Sequence, residues 1–527
     1  MKTPFLSLMA ALLAAAAPAA AQTRAADQLT IGYAAVVTTL DPHYHNLGPN
    51  NAMGNHIYDR LVERDAHAKP RPGLAESYRP LSDTLWEFRL RRNVTWHDGR
   101  PFTADDVVFT FERTPNVPNS PGGFGGFLRA ISRVEVVDDH TIRLHTSTPH
   151  PLLPLDLASV SIIARHAATG AEAEAYNSGR AAIGTGPYRV LAYRSGDRVE
   201  LARNENWWGG QEPWSRVTVR FLLNDGARTA ALLAGDVDLI EQIPTTDLAR
   251  LKRDQRIAVT EAPSLRTVFL SPDYSRTGPH PNVTDNAGNP LAENPFRDPR
   301  VRRALSMAIN REALVAQVME GAATATAQWL PEGAFGYNPD AKPRPYDPEG
   351  AKRLLAEAGF PEGFRLTLAT PNDRWPNDAR ISQAVAQMWT RIGVRSAVDA
   401  MPFAAFVPRR SRQDWAMQLG AWGSSTGEAS NYLLAIVSSY DRAKLTGPSN
   451  MTRHSDPEFD ALLARGAATM DDEVREGIWR QAVALYAERE PMIQLLQYVN
   501  TWAHRRGLSH EPRMDERTLA MGVRPAR

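Results

Sequence analysis

A chain of 527 residues with 13 histidines and 59 acidic side chains has the raw material for hydrolysis, so spacing decides whether that chemistry is present. A serine nucleophile of the G-x-S-x-G kind needs a strained strand-to-helix turn, and the nearest stretch, GSSTGE at 423–428, lacks that spacing. Histidines four apart around a glutamate, as in H-E-x-x-H, do not occur. His43 and His45 flank Tyr44, but they supply two ligands where a metal site wants three or four, so a hydrogen-bonded or solvated role is the better reading. The acid pairs Asp105-Asp106 and Asp471-Asp472 stand at helix starts, where capping and the helix dipole explain them. No glycine-rich phosphate cradle follows a strand. With no cysteine in the chain there is no thiol nucleophile, thiolate metal site or disulfide. The expectation is a protein that is not an enzyme, with no catalytic residue, metal or cofactor.

Aromatic residues beside small polar loops form a different pattern. They recur at TTLDPHYHN (38–46), DRWPND (373–378) and WGSSTGEASNY (422–432). Such loops present stacking faces, here Tyr44, Trp375 and Trp422, beside hydroxyl, amide and backbone groups that orient a ligand. Thr38, Asn46, Ser424 and Ser425 supply those groups, and Arg374 suits a carboxylate. The small residues after Trp422 are expected to let a ligand approach the backbone there.

These loops need strands and helices to hold them. LTIGYAAVV (29–37) reads as an apolar strand. DTLWEFRLRRNVTWHDG alternates strictly, with Trp86, Phe88 and Leu90 on one face, so a half-buried strand ends in a turn. Thr103 followed three residues later by Asp106 predicts a capped helix with Val107, Val108 and Phe111 inward. RVEVVDDHTIRLHT (133–146) predicts a hairpin. Gly235 closes a helix before a strand at Val237–Ile240. From about residue 266 helices multiply: Asp298-Pro299, Asn310 and Asp347-Pro348 each mark a helix start. FRLTLAT (364–370) is a strand, ISQAVAQMWTRIGV a helix that feeds one, and DDEVREGIWRQAVALYAERE a helix leading to the strand-like PMIQLLQYVNTWAHR. The pattern is α/β.

The first 21 residues carry one lysine, an apolar run from Phe5 to Ala17, Pro18 and three alanines. This predicts a secretory signal peptide cut between Ala21 and Gln22, and a protein of the bacterial periplasm with no lipid-bearing cysteine. Lys2 is the only charge in that segment, so the remainder balances 59 acidic residues with as many basic ones. That balance argues against nucleic acid or an anionic membrane as partner.

PGLAESYRPLSDTLWEFRLRRNVTWHDGRPFTADDVVFTFER, GTGPYRV, RNENWWGG, GDVDLIEQIP, NPFRDPRVRRALSMAINREALV and DPEGAKRLLAEAGFP, in that order, resemble the extracellular solute-binding protein family 5, the periplasmic peptide and nickel receptors of ABC importers. The resemblance implies a periplasmic-binding-protein fold of type II, two hinged lobes with an inserted domain. Domain I would comprise 28–59, 185–265 and 488–527, domain II 60–184 and domain III 266–487, with hinge segments near 265 and 487. It implies a monomer that binds a peptide or peptide-like solute between domains I and III and delivers it to permease subunits with their ATPases. A nickel chelate, opine, glutathione or oligosaccharide is the alternative ligand, and a secreted hydrolase the alternative class. Peptide-binding relatives often carry W-x-x-D, whose aspartate pairs with the ligand's amino terminus. Here Ser425 takes that position. Glu428 is the acid nearby that would substitute for it.

Overall fold

The computed structural model describes residues 27–424, 426–442 and 446–526. The expected cleavage site at Ala21 and Gln22 and the candidate residue Ser425 lie outside the described residues.

Local signals in the sequence become elements for identifiable reasons. Trp86, Phe88 and Leu90 point inward from strand Leu85–Leu90. Helix Ala104–Arg113 starts in a capping box, with Thr103 and Asp106 exchanging side-chain and backbone bonds. The side chains of Asp298, Asn310 and Asp347 each accept from a backbone N–H of the helix they precede. Gly235 ends its helix at φ 82°, a left-handed conformation that favours glycine. Two expectations shift. The first strand, Gln28–Tyr33, stops short of residue 37, because the Ala34 N–H turns to the Glu241 carboxylate, 2.9 Å away. The helix after Asn310 is α-helical only for Arg311–Ala313 and widens to a π-type turn over Leu314–Val318.

One twelve-stranded sheet runs through two lobes. In the N-terminal lobe, Gln28–Tyr33 lies between Leu239–Glu241 and Arg216–Phe221, parallel to both. Arg198–Arg203 and Tyr188–Arg194 extend the edge. In the C-terminal lobe, Arg365–Pro371 is parallel to Arg395–Met401 and to Met417–Gly423. Each lobe has its own apolar core. A separate four-stranded antiparallel sheet, in the order Ala75–Ser82, Leu85–Leu90, Thr141–Thr146, Ile131–Asp138, forms an inserted domain with a third core.

Two long antiparallel strands, Ile257–Pro272 and Ile493–Arg505, join the lobes. Residues 257–263 of the first pair with 499–505 of the second in the N-terminal lobe, and 267–270 pair with 493–497 in the C-terminal lobe. The register breaks between Pro263 and Thr267, so Ser264, Leu265 and Arg266 fall at the join, where a bulge lets a strand bend. The second crossing is therefore at 497–499, beyond the position expected near 487. Helix Asp472–Arg489 packs into a C-terminal-lobe core, and Ile493–Leu496 completes that lobe's sheet before the chain crosses.

Two quoted motifs are junctions. A Cβ on Gly184 or Gly186 would run into the Ile57 carbonyl, so GTGPYRV passes where only bare backbone fits. In RNENWWGG, the indole N–H groups of Trp207 and Trp208 and the Thr185 hydroxyl all donate to one oxygen of Asp59, at 3.4, 2.7 and 2.9 Å. Burial, with Glu63 nearby, raises the Asp59 carboxyl to about 6 despite these bonds.

Candidate functional site

The parallel strands of both lobes point their carboxyl ends at the hinge, the side on which α/β sheets bind ligands. Met417–Gly423 ends where Gly423 pairs with Arg266, at the register break. Glu241 ends its strand opposite Trp502, nearer the hinge than Leu239, which faces His504. All three loops picked out above follow such strand ends.

From the C-terminal lobe comes DRWPND. Asp378 folds this loop back, accepting from the Arg374 and Trp375 N–H groups at 3.2 and 3.1 Å. Asn377 then reaches the other lobe, 3.2 Å from Thr245 Oγ1, and Tyr498 of the crossing strand donates to the Pro376 carbonyl. The Arg374 guanidinium lies 5.1 Å over the Phe403 ring, and burial together with Arg266 pushes its pKa down. Trp375 is a core residue, 9% exposed and edge-on to Phe403. It offers no broad stacking face, contrary to expectation, because the Asp378-bound turn aims it inward.

The second loop, 422–432, has small residues for reasons the sequence alone conceals. A Cβ on Gly423 would lie 2.9 Å from Arg266 Nη2, so the glycine seats a guanidinium. Ser424 donates its N–H to the Leu265 carbonyl at 3.0 Å, and its hydroxyl accepts from Gly427. Gly427, at φ 75°, brings its backbone against Ala68, where a Cβ would sit 2.8 Å from that residue's own. Its small residues thus let the loop dock on the hinge and on the inserted domain. Trp422 is half-buried, its indole N–H donating to Asn431 at 2.8 Å. Glu428 is 3% exposed and accepts from Ser430 Oγ. Burial raises its carboxyl to about 7; the Ser430 bond and Arg475 oppose this, while Asp156 of the inserted domain and Asp472 add to it.

The third loop follows Tyr33. Thr38 and Asn46 are exposed and Tyr44 half-buried. Asn50 fixes the loop by bonding Thr38 N, Thr38 Oγ1 and the His45 carbonyl. The Asn46 N–H and Tyr44 carbonyl bond Gly122 and Ser120 of the inserted domain. His43 is fully buried between the Ser161 carbonyl (2.8 Å) and Arg113 (3.1 Å), and its pKa falls to about 4, chiefly by burial. Among the described residues no three metal-ligating side chains converge.

One element was not singled out in the sequence. Residues 513–518 lie across the strand ends of the N-terminal lobe: Thr518 bonds Glu241, Tyr33 and Trp502, and the Met514 carbonyl accepts from Leu265. They deliver Glu516 to the hinge, where its carboxylate accepts from Arg266 Nε and Nη2 at 2.8 and 2.9 Å and from Ser264 Oγ at 2.9 Å. Burial alone would raise the Glu516 carboxyl, but Arg266 holds it below its usual range. Both side chains keep roughly 30% exposure, 27% and 31%. No sequence motif announces this pair, which joins residues 250 apart.

Residues 69–444 match the family described as bacterial extracellular solute-binding proteins, family 5. The chain belongs to this family. It is 30% identical to heme-binding protein A of Haemophilus influenzae over 85% of this chain and 83% of that one. It is 28% identical to the dipeptide-binding protein of Escherichia coli over 83% of each. The solved structure of HbpA2 from Haemophilus parasuis superimposes with a TM-score of 0.81 at 26% identity, covering 95% of this chain and all of that one. The family 5 chain is thus a non-catalytic, periplasmic solute receptor of an ABC importer, with the two-lobed type II fold.

Proposed function

We propose that the chain binds a peptide or peptide-like solute between its lobes, with Arg374 holding a carboxylate of that solute, and passes it to the permease. One observation carries this reading. Arg374 reaches the hinge beside the Arg266–Glu516 pair without an acidic partner of its own among the described residues, and a guanidinium fork of that kind suits a carboxylate. In this reading Trp422 and Ser424 belong to one wall of the cleft and Thr38, Tyr44 and Asn46 to the other; the exposure of Thr38 and Asn46 and the partial exposure of Tyr44 and Trp422 support it. Relatives named for heme and for dipeptides share this fold, so the lining, and not the fold, selects the ligand. The protein acts as a monomer after cleavage at Ala21–Gln22. It is divided into domain I (28–59, 185–265 and the C-terminal segment), domain II (60–184) and domain III, the last extended to the crossing at 497–499. A solute that contacts both lobes stabilises their closed arrangement only by its greater affinity for it.

Native mass spectrometry of the receptor purified under mild conditions tests this. The expected result is a co-purified peptide-like mass carrying a free carboxylate, absent from Arg374→Gln. A metal chelate or neutral sugar in its place would overturn the reading.

A further inference from the structure

Beside Glu516, the segment 513–518 meets the first residues of the inserted domain. Four arginines, Arg60, Arg64, Arg513 and Arg517, gather there with the carboxylates Glu63 and Asp515, while Asp156 and Glu511 act on Arg64 and Arg513. Arg60, Arg64 and Arg513 are 3%, 6% and 7% exposed. Two of the four are bonded into the fold through several contacts, although Arg64 Nε is buried without a partner among the described residues. Arg513 takes both oxygens of Asp515 and the carbonyls of Arg64 and Asp65. Arg64 donates to the Leu155 carbonyl at 2.6 Å and Ser159 Oγ at 3.0 Å.

The other two are not. Arg60 Nε and Nη1 are buried with no hydrogen-bond partner among the described residues. Its nearest acid, Glu63, stands at 3.8 Å with that oxygen already accepting the Arg60 backbone N–H. The Arg517 guanidinium has one hydrogen bond among the described residues, to Asn55 at 3.0 Å, and lies 3.8 Å from an Asp515 already taken by Arg513. Burial, with the arginines repelling one another, lowers Arg517 to about 10 and Arg64 to about 9. Buried cations this sparsely bonded are costly, and a further anion beside them offsets the cost.

We propose that Arg60 and Arg517 form a second anion subsite in the N-terminal lobe, so that the receptor selects solutes carrying two anionic groups, one for this pair and one for Arg374. The inference rests on the solute-receptor reading above and adds the charge class of the solute. A purely architectural cluster would alter thermal stability alone, whereas a subsite alters selectivity.

The test is calorimetry on the mature protein with three probes, the dipeptides Glu-Glu and Ala-Ala and the dicarboxylate glutarate. Glu-Glu should bind at least about tenfold more tightly than Ala-Ala, the least that a charge-assisted contact contributes. Arg517→Gln should abolish that preference, and Arg517→Lys should retain part of it. Equal binding of the two dipeptides overturns the subsite and leaves the peptide reading intact. Binding of glutarate with neither dipeptide upholds the subsite and overturns the peptide reading. An undiminished preference in Arg517→Gln, or no response to either acidic probe, also overturns it.

Discussion

Glu428→Gln isolates the electrostatics of the loop at 422–432. The Glu428 carboxyl titrates near 7 in the fold, raised chiefly by burial, against an ordinary value of 4.5. A group whose folded pKa is raised binds its proton more tightly in the native state. Below about pH 4.5 both states are protonated and the residue costs nothing. As pH rises toward 7 the unfolded chain ionises first and the native state falls behind, until above 7 the full penalty is present. At about 1.4 kcal/mol per unit, that penalty is about 3 kcal/mol. Glutamine has the shape of the protonated acid and no titration. The variant should therefore match the parent near pH 4.5 and exceed it by about 3 kcal/mol at pH 8, read as the difference between urea denaturation curves across that range. The comparison cancels other titrating groups, such as Asp59, common to both proteins. A constant difference across the range would refute the argument. So would a lower stability of the variant at pH 8, which would mean that Arg475 holds Glu428 ionised. A ligand ammonium beside Glu428 would draw its pKa back down. In that case free-amine peptides would lose much more affinity in Glu428→Gln than acetylated ones, and equal losses would remove Glu428 from the site.

Gly427→Ala places a Cβ against Ala68 in a left-handed backbone position, so it should cost about 1 to 3 kcal/mol and weaken ligand binding. Gly477→Ala, in open space on helix Asp472–Arg489, should gain up to about 1 kcal/mol; thermal melts of the pair check both. Trp208→Phe removes the 2.7 Å donor to Asp59 and should lose about 1 to 3 kcal/mol in a denaturant melt, against no change if Trp207 and Thr185 suffice. His43 and His56, buried and lowered to about 4, stay neutral in the fold while the unfolded chain protonates below about 6.5. Each removes up to about 3 kcal/mol as pH falls from 6.5 to 4, so His43→Asn should flatten the acid limb of the stability profile.

Helix caps, the alternating strand with Trp86 and Phe88, and the hairpin were readable because each depends on neighbours a few residues away. The loops that follow the parallel strands were readable for a related reason: a short polar run between apolar segments has few other roles. What stayed hidden was contact across the chain. Nothing near Gly423 in the sequence mentions Arg266, yet that guanidinium explains the glycine. Trp375 looked like a stacking face because it stands beside a proline in a polar loop. It is Asp378, three residues on, that turns it into the core.

The second crossing of the hinge was misplaced for an instructive reason. Helix Asp472–Arg489 ends close to the expected boundary, and the end of a helix is the natural place to divide a chain. A hinge, however, is set by where backbone pairing breaks, and the break lies inside a continuous strand, opposite Ser264–Arg266. That position has a functional consequence. Arg266 belongs to the bend itself, and its partner Glu516 belongs to a segment tied to the N-terminal lobe through Thr518 and Glu241. Opening the lobes about this bend would turn one partner against the other. A solute carboxylate held by Arg374, as proposed above, would also feel Arg266, which is close enough to act on Arg374. Ligand charge and lobe angle would then be coupled through the Arg266 side chain, to the extent that the solute binds the closed arrangement more tightly.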